Sequence, residues 1–372
     1  MKSTQKTIIA IFSIVALVGA ILIFNAKKQV GVPNSNNPSQ EISLDISGQT
    51  REIIDGQGKK IAIPAKIERI AAAGALNQIV FMLGGGDKLV ATAQGVQKGF
   101  FTTVYPRIKE IPAAYTGPGP GVLSMETLLQ TNPQIVFGTA ASEKEAQILA
   151  AAGIVSISLK LNTPADIKNT ILMVGKVIGS EAEKKAVEFN KYYDENIEYA
   201  ANTVKSVPKV KVFTASSDGG SGPVSTVPGN DILTSYIEAA GGVNIAAVKL
   251  PAALADGSSM VDFEFLNVEQ PDVIIAQSRQ IYDYITDTFN NSQWQHLSAV
   301  KNKKVYINPK GVYLWSVRSA EGALEPLWLV KILHPELTAD LDIAQKIREF
   351  YKTNYYYDLN LQEIDSILYP EQ

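Results

Sequence analysis

Residues 163–208 read TPADIKNTILMVGKVIGSEAEKKAVEFNKYYDENIEYAANTVKSVP, and their spacing decides the fold. Thr163-Pro164-Ala165-Asp166 is a helix start, with a Thr cap, Pro at the first helical position and an acid three residues after the cap. Gly179 ends that helix, and Ser180-Glu181-Ala182-Glu183 reads as a second start with its own capping box. Apolar residues then recur at Ala182, Ala186, Phe189, Tyr193, Ile197, Ala200 and Val204, one continuous helical stripe that Pro208 closes. About 26 residues at 1.5 Å each make a rod of about 39 Å, as long as a small domain is wide. Strand-like segments lie on both sides. The reading is a stiff helix joining two α/β lobes.

Outward from that helix, the chain divides into a segment 1–28, a linker 29–41, a first lobe 42–179, the interlobe helix 180–207 and a second lobe 208–372. In the first lobe, short strands alternate with helices ended by Gly84-Gly85-Gly86 and Gly153, which implies a mostly parallel sheet. The stretch Gln94 to Gly121 is irregular and carries Phe100, Phe101, Tyr105 and Tyr115. Ligands of open α/β sheets sit in such loops, at the carboxyl ends of strands.

An echo links the lobes. Residues 124–137, SMETLLQTNPQIVF, align with 262–276, DFEFLNVEQPDVIIA. Glu126 matches Glu264, Leu128 matches Leu266, Pro133 matches Pro271 and Ile135 matches Val273. One helix–Pro–strand unit thus falls on each side of the long helix, as two similar lobes around a cleft require.

Composition narrows the function. The chain has 372 residues, 46% of them hydrophobic, enough for two cores. A net charge of −3 leaves no electrostatic footprint for nucleic acid. There is no Cys, and the two His are His296 and His334, so thiolate metal sites and Cys nucleophiles are excluded and a zinc or iron enzyme is disfavoured. Gly219-Gly220-Ser221-Gly222-Pro223 fails the hydrolase pattern at its last position, and no Gly-x-Gly-x-x-Gly opens a helix. No catalytic residue, metal ligand or cofactor is expected.

At the N-terminus, Lys2 and Lys6 precede an apolar run from Ile8 to Phe24, followed by Lys27-Lys28. The run suits an uncleaved membrane anchor, with a cleaved export signal as the competing reading. Both export the chain. Residues 29–40, QVGVPNSNNPSQ, form a flexible tether.

From Ile53 to Tyr357 the chain resembles the helical-backbone substrate-binding proteins of ABC importers, the class serving iron–siderophore, haem and cobalamin uptake. The residues that carry the likeness are Asp55-Gly56 before Ile63-Pro64-Ala65-Lys66-Ile67-Glu68-Arg69-Ile70, Leu83-Gly84 before Lys88-Leu89-Val90, the two Glu-bearing units, Trp294 with Leu297 to Tyr306, and Trp328-Leu329 with Leu333-His334-Pro335-Glu336. The resemblance implies two α/β lobes bridged by one long helix, a ligand cleft between them and modest closure. It implies permease subunits as partners, met through one acid per lobe, which map onto Glu126 and Glu264. A carboxylate early in a helix suits a bidentate Arg contact.

For the ligand, Tyr313, Trp315 and Arg318 offer a phenol, a stacking face and a fixed cation, Arg279 adds charge, and Tyr115 and Gly121 close the opposite side. That set points to an anionic or amphipathic metal chelate. The resemblance implies an iron–siderophore first, with haem or cobalamin as alternatives, bound by a monomer at the extracytoplasmic face. Two structural alternatives stay open here: Trp315 packs on its lobe, and Arg318 pairs with Glu321 or Glu325. A tethered ligand sensor of the same fold is the alternative function.

Overall fold

The computed structural model describes residues 49–372 except 118–120, 139–141, 218, 221, 249–258, 290 and 372. The apolar run, the tether and the start of the first lobe lie outside the described residues. No helix among the described residues is long and apolar enough to cross a membrane.

The first lobe opens on a hairpin, β1 (Thr50–Ile54) against β2 (Lys60–Pro64). The Asp55 side chain closes its turn by accepting from the Gln57 and Lys59 amides. The main sheet comprises β3 (Ile70–Ala72), β4 (Leu89–Ala93), β5 (Ala113–Thr116), β6 (Val122–Leu123), β7 (Ile135–Gly138) and β8 (Val155–Ser158), in the order β6-β5-β4-β3-β7-β8. Only β6 runs antiparallel to its neighbour. The second lobe holds β9 (Val210–Ala215), β10 (Val224–Thr226), β11 (Gly242–Asn244), β12 (Ser259–Val261), β13 (Val273–Ala276) and β14 (Val305–Ile307). Its parallel sheet runs β11-β9-β13-β14, with β10 and β12 paired apart. The core order β4-β3-β7-β8 of the first lobe and β11-β9-β13-β14 of the second share one topology: second strand, first, third, fourth.

The helices used below are α1 (Leu76–Val80), α2 (Met125–Thr131), α3 (Glu143–Ala151), α4 (Pro164–Ile178), α5 (Ser180–Thr203), α6 (Ile232–Ala239), α7 (Phe263–Glu269), α8 (Arg279–Thr286), α9 (Glu325–Leu333), α10 (Ile343–Asn354) and α11 (Leu361–Leu368). The sequence echo is a structural repeat of unusual fidelity. Helices α2 and α7 have seven residues each, are capped by Ser124 and Asp262, and end at Asn132 and Gln270, both with φ 46°. Leu128 and Leu266 are fully buried beneath them. Gln134 then accepts from the Arg69 amide ahead of β3, and Asp272 from the Lys211 amide in β9. The side chains of Arg69 and Lys211 in turn reach the carbonyls at the ends of the two helices, at Asn132 and Glu269.

Helix α5 runs 24 residues, about 36 Å. Its buried stripe is Ala182, Ala186, Phe189, Tyr193, Asn196 and Ala200. Asn196 enters that stripe by donating to the Ala323 carbonyl, while Ile197 is half-buried. The expected capping box forms at Thr163 and Asp166 but not at Ser180. Helix α4 reaches Ile178, so Gly179, at φ 143°, is the only residue left to turn the chain, and Ser180 is already helical. Gly175 lets the two helices close up, since a Cβ there would lie 2.8 Å from the Ala182 carbonyl oxygen. The helix ends at Thr203, short of Pro208.

Helix α5 packs on α4 and the Phe81–Gly85 turn in the first lobe and on α6 and α9 in the second, so it bridges them. A second crossing was not legible in the sequence. The end of α10 returns to the first lobe, where Tyr355 donates to Gln78 Oε1 at 2.6 Å and Tyr356 to the Met82 carbonyl at 3.2 Å. Phe81 stacks among Phe101, Tyr105, Tyr355 and Tyr356. The aromatics expected to line an open loop in 94–121 are therefore largely core: Phe101 and Tyr105 are buried in this cluster. In the second lobe, side chains alternate by strand period. Val212, Val273 and Ile275 face the shared core, and Phe213, Ala215, Ile274 and Ala276 face a separate core around Trp294.

Candidate ligand-binding site

Three parallel strands of the first lobe end at one cavity. Strand β3 leads into Ala73, Gly74, Ala75 and Leu76, β7 ends at Gly138, and β8 leads into Leu159, Leu161 and Asn162. The loop after β14 supplies the facing wall through Tyr313, Leu314, Val317 and Arg318. The cavity between lobes measures about 480 Å³ and is mostly apolar. It occupies the carboxyl ends of the strands, where open parallel sheets take their ligands.

Each wall is pinned by buried polar groups. In the first lobe, Asn77 is fully buried and donates to the Ala72 and Gly74 carbonyls at 2.9 Å, while the Thr92 hydroxyl donates to its Oδ1 at 2.7 Å. That fixes the tight bend at Gly74, whose φ of 43° suits glycine. In the second lobe, Ser316 donates to Gln277 Oε1 at 2.6 Å and the Trp315 amide to the Pro309 carbonyl at 3.1 Å. Glu321, fully buried, accepts from the amides of Val312 and Tyr313 and from the Tyr351 hydroxyl.

Of the residues expected to bind the ligand, Tyr313 and Arg318 line this cavity. Tyr313 is half-buried at the cavity wall. Arg318 is half-exposed, with Nη2 3.8 Å from Asp231 Oδ2. Asp231 caps α6 and is mostly buried, and burial pushes its carboxyl above the usual range against the pull of the Leu233 amide and Arg318. The ion pair of Arg318 is thus with Asp231, not with Glu321 or Glu325. Those two carboxyls are wholly buried in the protein, pushed up to about 7 and about 8 by loss of water.

The other four residues expected at the ligand, Trp315, Arg279, Tyr115 and Gly121, do not line this cavity. Trp315 is completely buried and presents no face to the cavity, because the loop folds its indole inward, toward the Glu321 carboxyl. Arg279 opens α8 and turns to Asp283 at 3.6 Å, to the Pro370 carbonyl at 3.4 Å and over the Tyr282 ring. It lines a different hollow with Tyr306, Trp328 and Tyr369, all in the second lobe. Strand β13 ends at Ala276, and it is Gln277 that meets the cavity loop. Tyr115 and Gly121 stand behind the wall rather than in it. Tyr115 is buried in β5 with its hydroxyl near Gly138, and burial pushes its phenol upward. Gly121, at φ 81°, packs directly on Tyr115, where a Cβ would come within 3.2 Å.

Glu126 and Glu264 are exposed, at matching positions in the first turns of α2 and α7, and no described Lys or Arg pairs with either. Among the described residues, no group of three His, Cys, Asp or Glu is placed to hold a metal ion.

Residues 70–311 match the family model described as periplasmic binding protein. The molybdate-binding protein MolA of Haemophilus influenzae is 27% identical over 345 residues, covering 84% of this chain and 93% of that one. The structure of MolA bound to molybdate matches with a TM-score of 0.71 and 22% identity, over 83% of this chain and 99% of MolA. A periplasmic solute binding protein from Veillonella parvula matches with a TM-score of 0.75 and 22% identity, over 86% and 97% of the two chains. Helicobacter pylori CeuE, in complex with Ni-His, gives 0.68 at 19% identity, over 86% and 99%. The matched segment spans nearly all of both sheets, from the first residue of β3 to beyond β14. With its repeated lobes and bridging helix, the chain has the helical-backbone fold and belongs to the periplasmic binding protein family.

Proposed function

We propose that this protein captures an anionic metal chelate, of the iron–siderophore kind, between its lobes and delivers it to an ABC permease without covalent chemistry. The cavity carries the reading. Its volume of about 480 Å³ is in the range of small-molecule sites, and Leu76, Leu159, Leu161, Leu314 and Val317 give it an apolar wall. Arg318 is the one cationic side chain among the described lining residues. An organic chelate matches that pattern, with apolar surface for the walls and net negative charge for the guanidinium. Arg318 is held by Asp231 through a long, partly exposed contact, which an incoming anion can displace.

The relation to MolA favours a second reading, molybdate itself. A compact oxyanion is best held by hydrogen-bond donors on most sides, and the side chains of this lining that can donate are Arg318, Asn162 and Tyr313, among mostly apolar groups. We therefore place the chelate first. The matched exposed carboxylates Glu126 and Glu264 suit a two-fold-like permease surface bearing Arg, which supports import over the sensor alternative. The segment 1–28 would hold the protein at the outer face of the membrane, and a monomer suffices for the cycle. The two crossings, α5 and the end of α10, favour a small closing motion.

A panel titration tests this. Melting temperature and tryptophan emission are followed with ferric siderophores, haem, cobalamins, molybdate, tungstate and free metal ions. Saturable response to a chelate is expected. Response to molybdate alone would replace the chelate with the oxyanion, and response to free cations alone would overturn both.

A further inference from the structure

We infer that Glu321 is the positioning residue of the ligand cavity, fixing its second-lobe wall through the backbone of Val312 and Tyr313. The inference rests on the cavity being the ligand site. A fully buried carboxyl is costly unless it is well partnered, and among the described residues no Lys, Arg or His forms an ion pair with this one. Its partners are instead two consecutive amides and a phenol. Oε1 accepts from Val312 N at 3.2 Å and from the Tyr351 hydroxyl, and Oε2 accepts from Tyr313 N at 2.6 Å. The Tyr351 hydroxyl also accepts from Val312 N at 3.0 Å. These are the residues that lead into Tyr313, Leu314, Val317 and Arg318, the whole second-lobe wall.

Gly311 shows how closely the backbone is drawn onto this node. A Cβ there would collide with both the Tyr351 hydroxyl and Glu321 Oε1. Its φ lies outside the left-handed region, so alanine is acceptable to the backbone and excluded only by the node. The node also reaches the opposite wall. The Tyr351 ring meets Tyr355 edge-on at 5.1 Å, and the Tyr355 hydroxyl bonds Gln78, two residues beyond the cavity-lining Leu76. The two walls are thereby braced against each other through α10.

Amide hydrogen exchange at Val312 and Tyr313 in the whole protein tests the assignment without a ligand. In Tyr351→Phe and Gly311→Ala, both amides should exchange at least about tenfold faster, while the amides of β9 and β13 keep wild-type rates. Because both changes break one node, the double variant should be no faster than the worse single one. Glu321→Gln, which places an NH₂ where Oε2 was, should free the Tyr313 amide and leave Val312 held. Unchanged exchange at 312 and 313, or equal acceleration in β9 and β13, would overturn the inference. In a second arm, a ferric tris-catecholate and molybdate are titrated against wild type and Tyr351→Phe. Weaker binding of whichever probe wild type takes is expected, and equal affinity despite a loosened loop would overturn the positioning role. If wild type takes neither probe, the functional reading fails and the exchange data alone decide Glu321.

Discussion

The two lobes agree at one end and differ at the other. At the helix α2 and α7 end they match in cap, length, left-handed closing residue, buried Leu and exposed Glu. At the cavity end they do not. The first lobe offers bare strand ends, Ala73-Gly74-Ala75 and Gly138, pinned by one buried Asn77. The second offers a single loop folded over Glu321, with the site's cation on it. On the proposed function, what is alike serves the scaffold and a symmetric partner, and what differs serves an asymmetric ligand.

The largest effects test the likeness. Leu128→Ala and Leu266→Ala each empty a fully buried position under equivalent helices, and each should cost about 2–5 kcal/mol. Denaturant unfolding should place the two losses within about 1 kcal/mol of each other, and a large difference would show that the repeat is topological but not energetic. Next in size, Glu126→Ala with Glu264→Ala should lower uptake in cells by about two orders of magnitude and leave ligand affinity unchanged. Either single change should have a smaller and comparable effect, and full uptake by the double variant would remove the docking role from both lobes.

A smaller effect tests the difference. Glu321 and Glu325 both lie in the second lobe, pushed up to about 7 and about 8 by burial from an ordinary 4.5. Their folded values exceed their unfolded ones, so the folded state keeps protons that the unfolded chain has released. Their contribution is full below about 4.5 and is lost as pH rises through 7 to 8. The melting temperature should therefore fall between pH 5 and pH 9, and Glu325→Gln should flatten that fall. Glu325 is the clearer test because, among the described residues, its Oε1 has no hydrogen-bond partner and its Oε2 accepts only from Asn308. A melting temperature that rises over the same window would contradict the upward shift of the two carboxyls.

The scaffold was readable because its signals are local. The Thr163–Asp166 box and the stripe from Ala182 to Ala200 each lie within one element, and the Glu-to-Pro spacing of the repeat within a helix and the turn after it. The site was readable only in part. Tyr313 and Arg318, which line the cavity, were legible because a loop rich in large side chains follows a strand. Trp315 has the same context, and only tertiary packing turns it inward. Arg279 followed a strand end as a site residue should, but α8 begins there and rotates it toward Asp283 and Pro370. The wall residues Leu76, Leu159, Leu161, Leu314 and Val317 cannot be told from core by type. Nothing local in the sequence singles out Asp231, because its partner Arg318 is 87 residues away.

The central claim is that the ligand sits between the lobes against Arg318. Isothermal titration of the ferric siderophore that binds best, against wild type, Arg318→Ala and Arg279→Ala, tests it most directly. At least about a tenfold loss of affinity is expected in Arg318→Ala, about 1.4 kcal/mol or more, with wild-type affinity in Arg279→Ala. Loss in Arg279→Ala with Arg318→Ala unaffected would move the site out of the interlobe cavity and contradict the account.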